Sequence, residues 1–341
     1  MKLLSIAIPC YNAEQYLGDC LSSLLNYDGV ELIVINDGSK DRTLEIAKRF
    51  QEKYPDYIKI IDKENGGHGS GLNAAYKIAE GLYFKCCDSD DTLDREALLI
   101  LLNKIKELEK IGKLPDVFLT DYVAVYKNRD REQACGLKKF FPVDELVTYE
   151  KVKRLGISDY AMIHMTYVKT SLLKENNLNL VEKTFYEDNQ FVYFVFGHAN
   201  SFYYLDKPIY RYSLGETGQS VSLESMRKNY MHEMRAFNAT FREFKWSDYE
   251  SWSKKKRRFV LHDLSMMYML AYAYAFLSYS KEKRQAFRQL LKSCKEYDRK
   301  LFRKVRWTTA PFFATLIPVF IRPPITIFGT NIISKIKGWN Y

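Results

Sequence analysis

The run from Cys86 to Asp91, with the sequence CCDSDD, gathers three carboxylates directly after an apolar stretch. Successive side chains of an extended segment point to opposite faces, so Asp88 and Asp90 can converge on one ion while Ser89 points away. Oxygen ligands of this kind suit Mg²⁺ or Mn²⁺, which commonly shares its remaining positions with phosphate oxygens. The run therefore predicts a metal site with Asp90 and Asp88 as its ligands.

Helix capping is the competing interpretation of these acids. A helical pattern begins near Asp94, and either Asp91 or Thr92 could act as its N-cap. A cap accounts for one acid and leaves the other two without a role. Both interpretations stay open on the residues of this loop alone.

A second pair of acids, Glu187 and Asp188, stands at the head of an aromatic, helix-forming stretch from Phe185 to Phe196. Carboxylates in a first helical turn interact favourably with the helix dipole. Taken by itself, the pair predicts charge compensation at the start of a helix.

The elements that would position the first acids form an alternating pattern. Short apolar runs, rich in β-branched residues, are separated by amphipathic helical stretches, which indicates an α/β fold with a parallel sheet covered by helices. The predicted strands are Leu3–Ile8, Val30–Ile35, Tyr57–Ile61 and Leu82–Cys87. Ligands bind at the carboxyl ends of the strands in such sheets. The four unusual loops, which are Pro9–Asn12, Asn36–Ser39, the glycine-rich Asn65–Gly71 and Asp88–Asp91, all fall on that edge.

The next part of the chain predicts further elements of the same domain. They are a helix from Asp94 to Lys110, a strand at Asp116–Val125, a β-ribbon or flap within Tyr126–Tyr149, a strand at Met162–Val168, a helix near Ser171–Glu175 and two short strands at Phe202–Leu205 and Ile209–Tyr212. The isolated histidines His164 and His198 predict packing or a satisfied hydrogen bond. A polar loop, Ser213–Ser222, marks the predicted boundary between domains 1–222 and 223–341.

Composition bounds the class of protein. The chain has 341 residues, 47% of them hydrophobic, and a net charge of +10, which permits an anionic partner. The six cysteines contain no CxxC pair and are too sparse for a small disulfide scaffold, which indicates reduced thiols in a cytosolic protein. No signal peptide is expected, because the opening segment has neither an apolar region of useful length nor a cleavage site.

The part after Ser225 is helical throughout in pattern and carries the positive charge. Between Ser251 and Arg306 there are sixteen Lys or Arg residues against four Asp or Glu. The following apolar segment, Trp307–Ile321, is shorter than the roughly 20 residues that a spanning helix needs and contains two prolines. It predicts either a surface that lies on an anionic membrane or a tail packed on protein. Nucleic acid is not expected as a partner, because no RNA-binding or helix-turn-helix pattern is present.

Read together, the loops give a resemblance. The segments IPCYNAEQYL, VINDGSKDRT, ENGGHGSGLNAA, CDSDD and FYED occur in the order and at roughly the spacing of the inverting family 2 glycosyltransferases. The resemblance covers about the first 215 residues and implies the GT-A fold, a Rossmann-like mixed sheet, with the helical C-terminal extension lying outside it.

This resemblance assigns expected roles to the loops. The nucleotide-sugar donor is expected to contact Pro9, Tyr11, Asn12, Glu14, Asp37, Asn65, Gly66, Asn73, Asp88 and Ser89. Tyr11 offers a face on which a base can stack, and Asp37 can accept a hydrogen bond from a base. Leu72 stands where many members of the family have an arginine. Contacts to the diphosphate are therefore expected from His68, Arg211 or a basic residue nearer the C-terminus.

The resemblance also implies a mechanism. Asp90, together with Asp88, would hold a Mn²⁺ or Mg²⁺ ion that bridges the donor diphosphate. Asp188 would be the base that takes the proton from the acceptor hydroxyl, with Glu187 in support. The segment from Tyr210 to Val221 would close over the donor and exclude water.

The leading hypothesis is a glycosyltransferase that is peripheral at the inner, cytoplasmic face of the cell membrane. It would use a nucleotide-sugar donor, a UDP-sugar first among them, and a glycan or polyprenyl-diphosphate-linked acceptor. The alternatives are a non-catalytic nucleotide-sugar-binding or scaffold protein of the same fold, and a sugar nucleotidyltransferase, whose glycine-rich basic loop is absent. The loop Pro9–Asn12 lacks the GxGxxG of a dehydrogenase. The sequence predicts no oligomeric state.

Overall fold

The computed structural model describes residues 1–126, 131–156, 159–214, 223–278, 280–318 and 322–328. The chain divides into two compact units. The first comprises Met1–Lys153, Ala161–Lys183 and His198–Glu216, and the second comprises Arg154–Tyr160, Thr184–Gly197 and Thr217–Tyr341. The domain boundary predicted at residue 222 lies outside the described residues and stays a prediction.

The first unit is built on one mixed sheet. Its strands are β1 (Leu4–Cys10), β2 (Val30–Asp37), β3 (Ile58–Lys63), β4 (Tyr83–Cys86), β5 (Thr92–Leu93), β6 (Val117–Tyr126), β7 (Arg131–Cys135), β8 (Leu146–Thr148), β9 (Thr166–Lys169) and β10 (Ser201–Leu214). Their order is β3-β2-β1-β4-β9-β6-β10-β5, with β7 paired to β6 and β8 paired to β10. The α/β fold class with a mixed sheet is confirmed.

The half of the sheet that was predicted to be parallel is parallel. β1 lies between β2 and β4, and β2 pairs with β3, all in the same direction. Every residue of β1 and β2 is buried, as expected for strands covered by helices on both faces. The carboxyl ends of these strands therefore meet at one edge of the sheet.

The described residues of this unit form five α-helices: α1 (Leu17–Ser23), α2 (Thr43–Lys53), α3 (His68–Ile78), α4 (Arg95–Lys110) and α5 (Thr170–Glu175). Asp94 caps α4, because its side chain accepts a hydrogen bond from the Ala97 N–H. The interpretation of Asp91 or Thr92 as the cap is therefore wrong. The loop predicted at Asn65–Gly71 is shorter than expected, since α3 already begins at His68.

Two other predictions need correction. The two short strands predicted after residue 201 are one long strand, β10, with irregular register around Pro208. The stretch predicted as a strand from Met162 begins instead with a 3₁₀ turn at Ile163–Met165, and only then continues as β9. The ambiguous segment 126–149 contributes β7 and β8. The predicted closing segment extends to Val221, and its residues 215–222 lie outside the described part of the chain.

The second unit is helical in its described part, which confirms the helical C-terminal extension. Its helices are α6 (Glu187–His198), α7 (Leu223–Lys228), α8 (Tyr230–Phe241), α9 (Trp246–Ser251), α10 (Lys254–Phe276), α11 (Lys281–Tyr297), α12 (Arg299–Arg306) and α13 (Thr309–Leu316). Within the described ranges, no helix combines the length and the apolar character that crossing a membrane requires.

Candidate active site

Asp37, at the end of β2, organises the glycine-containing loop that follows β3. Its Oδ1 accepts hydrogen bonds from the Gly66 N–H at 2.9 Å and from Lys63 Nζ at 2.7 Å, and its Oδ2 accepts one from the Gly67 N–H at 2.7 Å. The carboxylate is buried. Asp37 thus has a clear structural role, and its predicted contact with a base would add to these bonds.

Two glycines of these loops stand where a side chain would not fit. Gly38 has a φ of +72°, and a Cβ at this position would lie 2.8 Å from the Asn65 backbone nitrogen. A Cβ on Gly66 would lie 2.4 Å from Ser70 Oγ. Asn65 adds a bond from its Nδ2 to the Asp37 carbonyl at 3.0 Å. A side chain at Gly38 would push the two loops apart, whereas one at Gly66 would collide with Ser70 and Lys63 of its own segment.

The loop after β1 is tied to the loop after β2 by two of the predicted donor-binding residues. Asn12 accepts a hydrogen bond from the Lys40 N–H at 2.8 Å through its Oδ1. Glu14 accepts one from the Arg42 N–H at 3.1 Å. These bonds hold the two loops together at the carboxyl edge of the sheet. Direct contact of Asn12 and Glu14 with a nucleotide stays a prediction.

The other predicted residues of the nucleotide pocket differ in exposure. Pro9 lies inside β1, in register with Ile35, and is buried. Tyr11 is 55% exposed and is therefore accessible to a ligand from solvent. Asn73 is buried, and its side chain bonds both the N–H and the carbonyl of Leu180 at 2.8 and 2.9 Å. Asn73 therefore anchors a neighbouring segment, while its contact with a donor stays a prediction.

The Asp88 carboxylate, directly beyond β4, lies between two histidines. His68 Nε2 is 3.2 Å from Oδ1, and His164 Nε2 is 3.5 Å from Oδ2. Burial acts to raise the pKa of Asp88, but the hydrogen bonds from His164 and His68 outweigh it and hold the pKa below its usual value. Asp88 is therefore an ionised, half-buried carboxylate.

Asp91 differs from Asp88 although it lies in the same loop. It is buried, and it accepts hydrogen bonds from the Tyr210 hydroxyl at 2.6 Å and from the Ser213 N–H at 2.7 Å. Burial, followed by the charges of Asp88 and Asp90, raises the pKa of Asp91 well above its usual value. Asp91 therefore fastens the acidic loop to β10.

The structure tests only part of the predicted metal site. In the described part of the chain, two groups of three potential ligands have donor atoms within 4.8 Å of one another: His68, Cys86 and Asp88, and Asp88, Asp91 and His164. Asp88 belongs to both and Asp90 to neither. Ser89 and Asp90 are half-buried beside Asp88. Ligation by Asp90 stays a prediction.

Arg211, a predicted diphosphate contact, lies on β10 opposite Thr92 of β5. Its guanidinium forms an ion pair with Glu132 of β7. To contact a diphosphate, the Arg211 guanidinium would have to leave the Glu132 carboxylate and pair with a phosphate. This role also stays a prediction.

Lys85 is a contributor to the site that the sequence did not reveal, and His164 is one whose packing was predicted but whose place beside Asp88 was not. Lys85 is fully buried on β4, and its ammonium donates hydrogen bonds to the carbonyls of Ile163 and His164 at 3.1 and 2.5 Å. Burial lowers its pKa to about 8. The His164 ring stacks on Tyr212 with centroids 4.4 Å apart, so it packs as predicted, but it does so beside Asp88.

The second predicted group, Glu187 and Asp188, begins α6 and belongs to the second unit. The residue before it, Tyr186, has a φ of +73°, which is unusual for a bulky side chain and marks a local strain of the kind found near functional groups. Glu187 is buried. The Asn189 amide donates to Asp188 Oδ1 at 3.3 Å.

Residues of α8 surround this start of α6. His232 Nδ1 accepts a hydrogen bond from the Phe185 N–H at 3.2 Å, and the two rings pack with centroids 4.8 Å apart. Glu233 is buried, and its burial, together with the nearby charge of Asp188, raises its pKa to about 8. Glu233 is thus a protonated acid beside Asp188, and sequence reasoning missed it.

Comparison with known proteins relates residues 5–170, which make up most of the first unit, to a family. The family model described as Glycosyl transferase family 2 matches residues 5–170. These residues form a family 2 glycosyltransferase domain. The matched span ends just after β9 and includes Tyr11, Asp37, Asp88 and His164.

Curated relatives match this domain over part of their length. The chain is 38% identical over 183 residues to the poly(ribitol-phosphate) beta-glucosyltransferase of Bacillus spizizenii, which is 51% of this chain and 26% of that protein. It is 40% identical over 123 residues to the chondroitin synthase of Pasteurella multocida, which is 36% of this chain and 12% of that protein. The chain thus spans about a quarter or less of the length of these relatives.

Solved structures extend the likeness in fold to the whole chain. A crystal structure of S. aureus TarS 1-349 has a TM-score of 0.66 at 22% identity and covers 100% of this chain and 93% of that one. The same protein in complex with UDP-GlcNAc gives a TM-score of 0.55 and 22% identity over 90% of this chain and 92% of that one. The mannosyltransferase PcManGT of Pyrobaculum calidifontis, with GDP-Man and Mn²⁺, gives 0.52 at 15% identity over 89% and 84%. The shared fold is the GT-A fold.

Proposed function

We propose that this protein is a metal-dependent, inverting glycosyltransferase that moves a sugar from a nucleotide-sugar donor to an acceptor during synthesis of a cell-surface polysaccharide. One observation carries the proposal. The loops that hold Tyr11, Asp37 and Asp88 meet at the carboxyl edge of the parallel strands, in a family 2 domain. Ligands bind at this edge in open α/β sheets.

The nucleotide is proposed to lie on the loops that Asp37 and its glycine partners arrange. The exposed ring of Tyr11 offers a stacking face for the base. Gly66, held by Asp37, permits close approach of the backbone to the ligand. A uracil base is the first candidate, because TarS, which shares this fold, has been crystallised with UDP-GlcNAc and with UDP.

The residues at the end of β4 fit a Mn²⁺ or Mg²⁺ ion. Mg²⁺ is typically held by one or two carboxylates and completes its shell with water and phosphate oxygens, which matches an ionised Asp88 with Asp90 two residues away. When bound, the ion would neutralise charge as the nucleoside diphosphate leaves. PcManGT, of the same fold, carries Mn²⁺ in its structure.

Asp188 is proposed as the general base, with Glu187 in support. In a single displacement, the acceptor oxygen forms a bond to the anomeric carbon while the bond from that carbon to the phosphate oxygen breaks. The bonding electrons leave with the nucleoside diphosphate, and the acceptor proton passes to the Asp188 carboxylate. The protonated Glu233 beside it supports this role, since an acidic neighbour that stays neutral adds no repulsion to Asp188.

The acceptor is proposed to be a glycan or a polyprenyl-diphosphate-linked glycan, and the location the cytoplasmic face of the membrane. The basic helix α12 supports membrane contact, because it is followed by Trp307, Phe313 and Leu316, which are 71%, 60% and 61% exposed. Exposed aromatic and aliphatic groups beside Lys and Arg suit the interface of an anionic bilayer.

Sedimentation with liposomes tests this contact. We expect pelleting with anionic vesicles, less with neutral ones, and a loss after truncation behind Arg306 or in the double variant Trp307→Ser with Phe313→Ser. Ile111→Ser, at another exposed apolar residue, is the matched control. Equal pelleting of the truncated and full-length chains would remove membrane contact from the proposal.

Donor hydrolysis across UDP-, GDP- and dTDP-sugars, with Mn²⁺, Mg²⁺ or EDTA, tests the central proposal. We expect turnover of one donor class that requires metal and is lost in Asp90→Ala. The control is Asp28→Ala, an exposed acid paired with Lys106. Metal-dependent nucleotide binding without turnover in the presence of candidate acceptors would identify a binding protein instead, and the absence of both would refute the proposal.

A further inference from the structure

Three side chains with different donor atoms converge where β4 ends and α3 begins. His68 Nε2 lies 3.2 Å from Asp88 Oδ1 and 3.6 Å from Cys86 Sγ. Cys86 Sγ lies 3.8 Å from the same carboxylate oxygen. A nitrogen, a sulfur and an oxygen thus form a compact triangle within the first unit.

The size of this triangle matches a tetrahedral zinc site. Zn²⁺ binds nitrogen and oxygen at about 2.0–2.1 Å and sulfur at about 2.3 Å, so tetrahedral angles place the nitrogen and oxygen about 3.3 Å apart and each of them about 3.6 Å from the sulfur. The three distances at His68, Cys86 and Asp88 lie within a few tenths of an ångström of these values. The spacing of the three donor atoms is therefore compatible with a tetrahedral zinc ion.

The same triangle is a poor site for Mg²⁺. An octahedral ion with bonds of about 2.1 Å needs neighbouring ligands only about 3.0 Å apart, and it prefers oxygen. A thiolate and an imidazole favour Zn²⁺ and chemically similar ions such as Co²⁺. The donor set therefore separates this site from the Mn²⁺ or Mg²⁺ site proposed above, although both would use Asp88.

The surroundings also suit a bound ion. Cys86 is buried, whereas the side chains of His68 and Asp88 are 31% and 32% exposed, so an ion can enter from solvent and keep a water molecule as its fourth ligand. His164 Nε2 lies 3.5 Å from the other oxygen of Asp88. A partner of this kind commonly orients a ligating carboxylate.

We propose that His68, Cys86 and Asp88 form a binding site for Zn²⁺ or Co²⁺, with a solvent molecule as the fourth ligand. The sulfur binds as the thiolate, and the thiol proton is released to solvent. This site goes beyond the proposed function, because it requires neither a donor nor an acceptor.

Cobalt substitution tests the site without any enzymatic readout. Co²⁺ alone is titrated into the full-length protein, and the absorption of a thiolate-to-Co²⁺ charge-transfer band is recorded. We expect a band that saturates at one equivalent and disappears when Zn²⁺ is added. In Cys86→Ser the band should be lost, whereas Cys135→Ser, at a half-buried cysteine of β7, should keep it.

Affinity supplies a second readout. Competition with a chromogenic chelator should show Zn²⁺ binding weakened at least about tenfold in His68→Asn, since even outer-shell partners of a metal contribute 10–100-fold. His68 is half-exposed, so this variant is expected to fold even if Cys86→Ser does not. A wild-type protein without the band, a band that persists in Cys86→Ser, or unchanged Zn²⁺ affinity in His68→Asn would each overturn the proposal.

If the protein also has the proposed transferase activity, Zn²⁺ should compete with donor binding through Asp88. Inhibition by Zn²⁺, expressed relative to the zinc-free rate of each protein, should then be at least tenfold weaker in Cys86→Ser than in Cys135→Ser. Equal inhibition would separate the zinc site from catalysis and leave the cobalt result intact. Conversely, the protein could show the cobalt band and turn over no donor. The band would then support the zinc site, and the missing turnover would count against the transferase activity alone.

Discussion

Two acidic clusters, one in each unit, shift the pKa of a carboxyl group in opposite directions. In the first unit, Asp88 lies between His68 and His164, and their hydrogen bonds hold its pKa below the usual value in spite of burial. In the second unit, Glu233 is buried beside Asp188, and its pKa rises to about 8. The first cluster is suited to present a negative charge to a cation, and the second to hold a proton.

In the proposed transfer, each cluster would meet one demand. The leaving diphosphate needs positive charge close to an ionised carboxylate, and the acceptor hydroxyl needs a base, which is the role proposed for Asp188 and not for the protonated Glu233. A single fold can meet both demands when its acids have different surroundings, since environment and not residue type sets the pKa. The following variants test each side of the contrast.

The largest effect is expected from Asp188→Asn. Loss of a general base typically costs a factor of about 10²–10⁴ in rate, so kcat should fall by that factor while the donor still binds. Glu187→Gln should lower kcat less, because Glu187 is only the supporting acid. The measurement is steady-state transfer with the donor identified by the hydrolysis panel, and a larger loss in Glu187→Gln would reverse the two roles.

Glu233→Gln tests whether the second cluster holds a proton. The pKa of Glu233 is about 8 in the folded chain and about 4.3 in the unfolded chain. The folded protein therefore retains a proton that the unfolded chain has lost, and wild-type stability falls as pH rises between these values. Relative to wild type, the free energy of unfolding of Glu233→Gln should rise by roughly 1 kcal/mol per pH unit from pH 5 to 8 and then level off.

Urea unfolding at several pH values measures this difference. Asp263, whose pKa is also raised to about 8 by burial, is present in both proteins and cancels. Glu296→Gln, at an exposed acid of α11, is the matched control for the loss of one carboxylate. A difference for Glu233→Gln that does not change with pH would mean that Glu233 is ionised, and the contrast between the clusters would be lost.

Lys85→Met tests the support of the first cluster. The buried ammonium satisfies the carbonyls of Ile163 and His164, and each carbonyl left without its partner costs of order 1–3 kcal/mol. The thermal midpoint should therefore fall clearly, whereas Lys106→Met, at a more exposed lysine, should change it little. An unchanged midpoint for Lys85→Met would show that Lys85 does not fix the turn that carries His164.

The smallest expected effect is a difference in stability between two glycine variants, which separates the cost of backbone strain from that of steric contact. Gly38 and Gly112 both have positive φ, but only at Gly38 would a Cβ meet a neighbour within 4 Å. Each change to Ala should cost about 1–2 kcal/mol for the left-handed backbone, and Gly38→Ala should lose more because of the contact with Asn65. Equal losses in chemical unfolding would mean that the loop after β3 can move away from Gly38.

The parallel half of the sheet could be predicted because its signal is local. Buried strands require continuous apolar residues, and the carboxyl edge follows from the alternation of strands and helices. The meeting of the Asp37 and Asp88 loops was therefore predictable. The start of α3 was placed too late because Gly69 and Gly71 suggest a loop, whereas packing against β1 and β2 stabilises the helix.

The partners of Asp88 could not be predicted, because they come from distant positions in the chain. His164 reaches Asp88 only through the 3₁₀ turn before β9, which Lys85 holds from the neighbouring strand. One signal was nevertheless present. A lysine inside a buried strand must have polar partners, and Lys85 stands within the apolar run that leads to Cys86. Glu233 gave no comparable signal, since a helix commonly carries glutamate.

The most direct test of the two proposed roles is UDP-sugar binding and turnover measured with and without Mn²⁺ in two variants, Asp88→Asn and Asp188→Asn. We expect Asp88→Asn to lose metal-dependent binding, whereas Asp188→Asn should bind donor and metal like wild type but transfer sugar at least about 100-fold more slowly. Normal metal-dependent binding by Asp88→Asn, or wild-type transfer by Asp188→Asn, would contradict the division of labour between the two clusters.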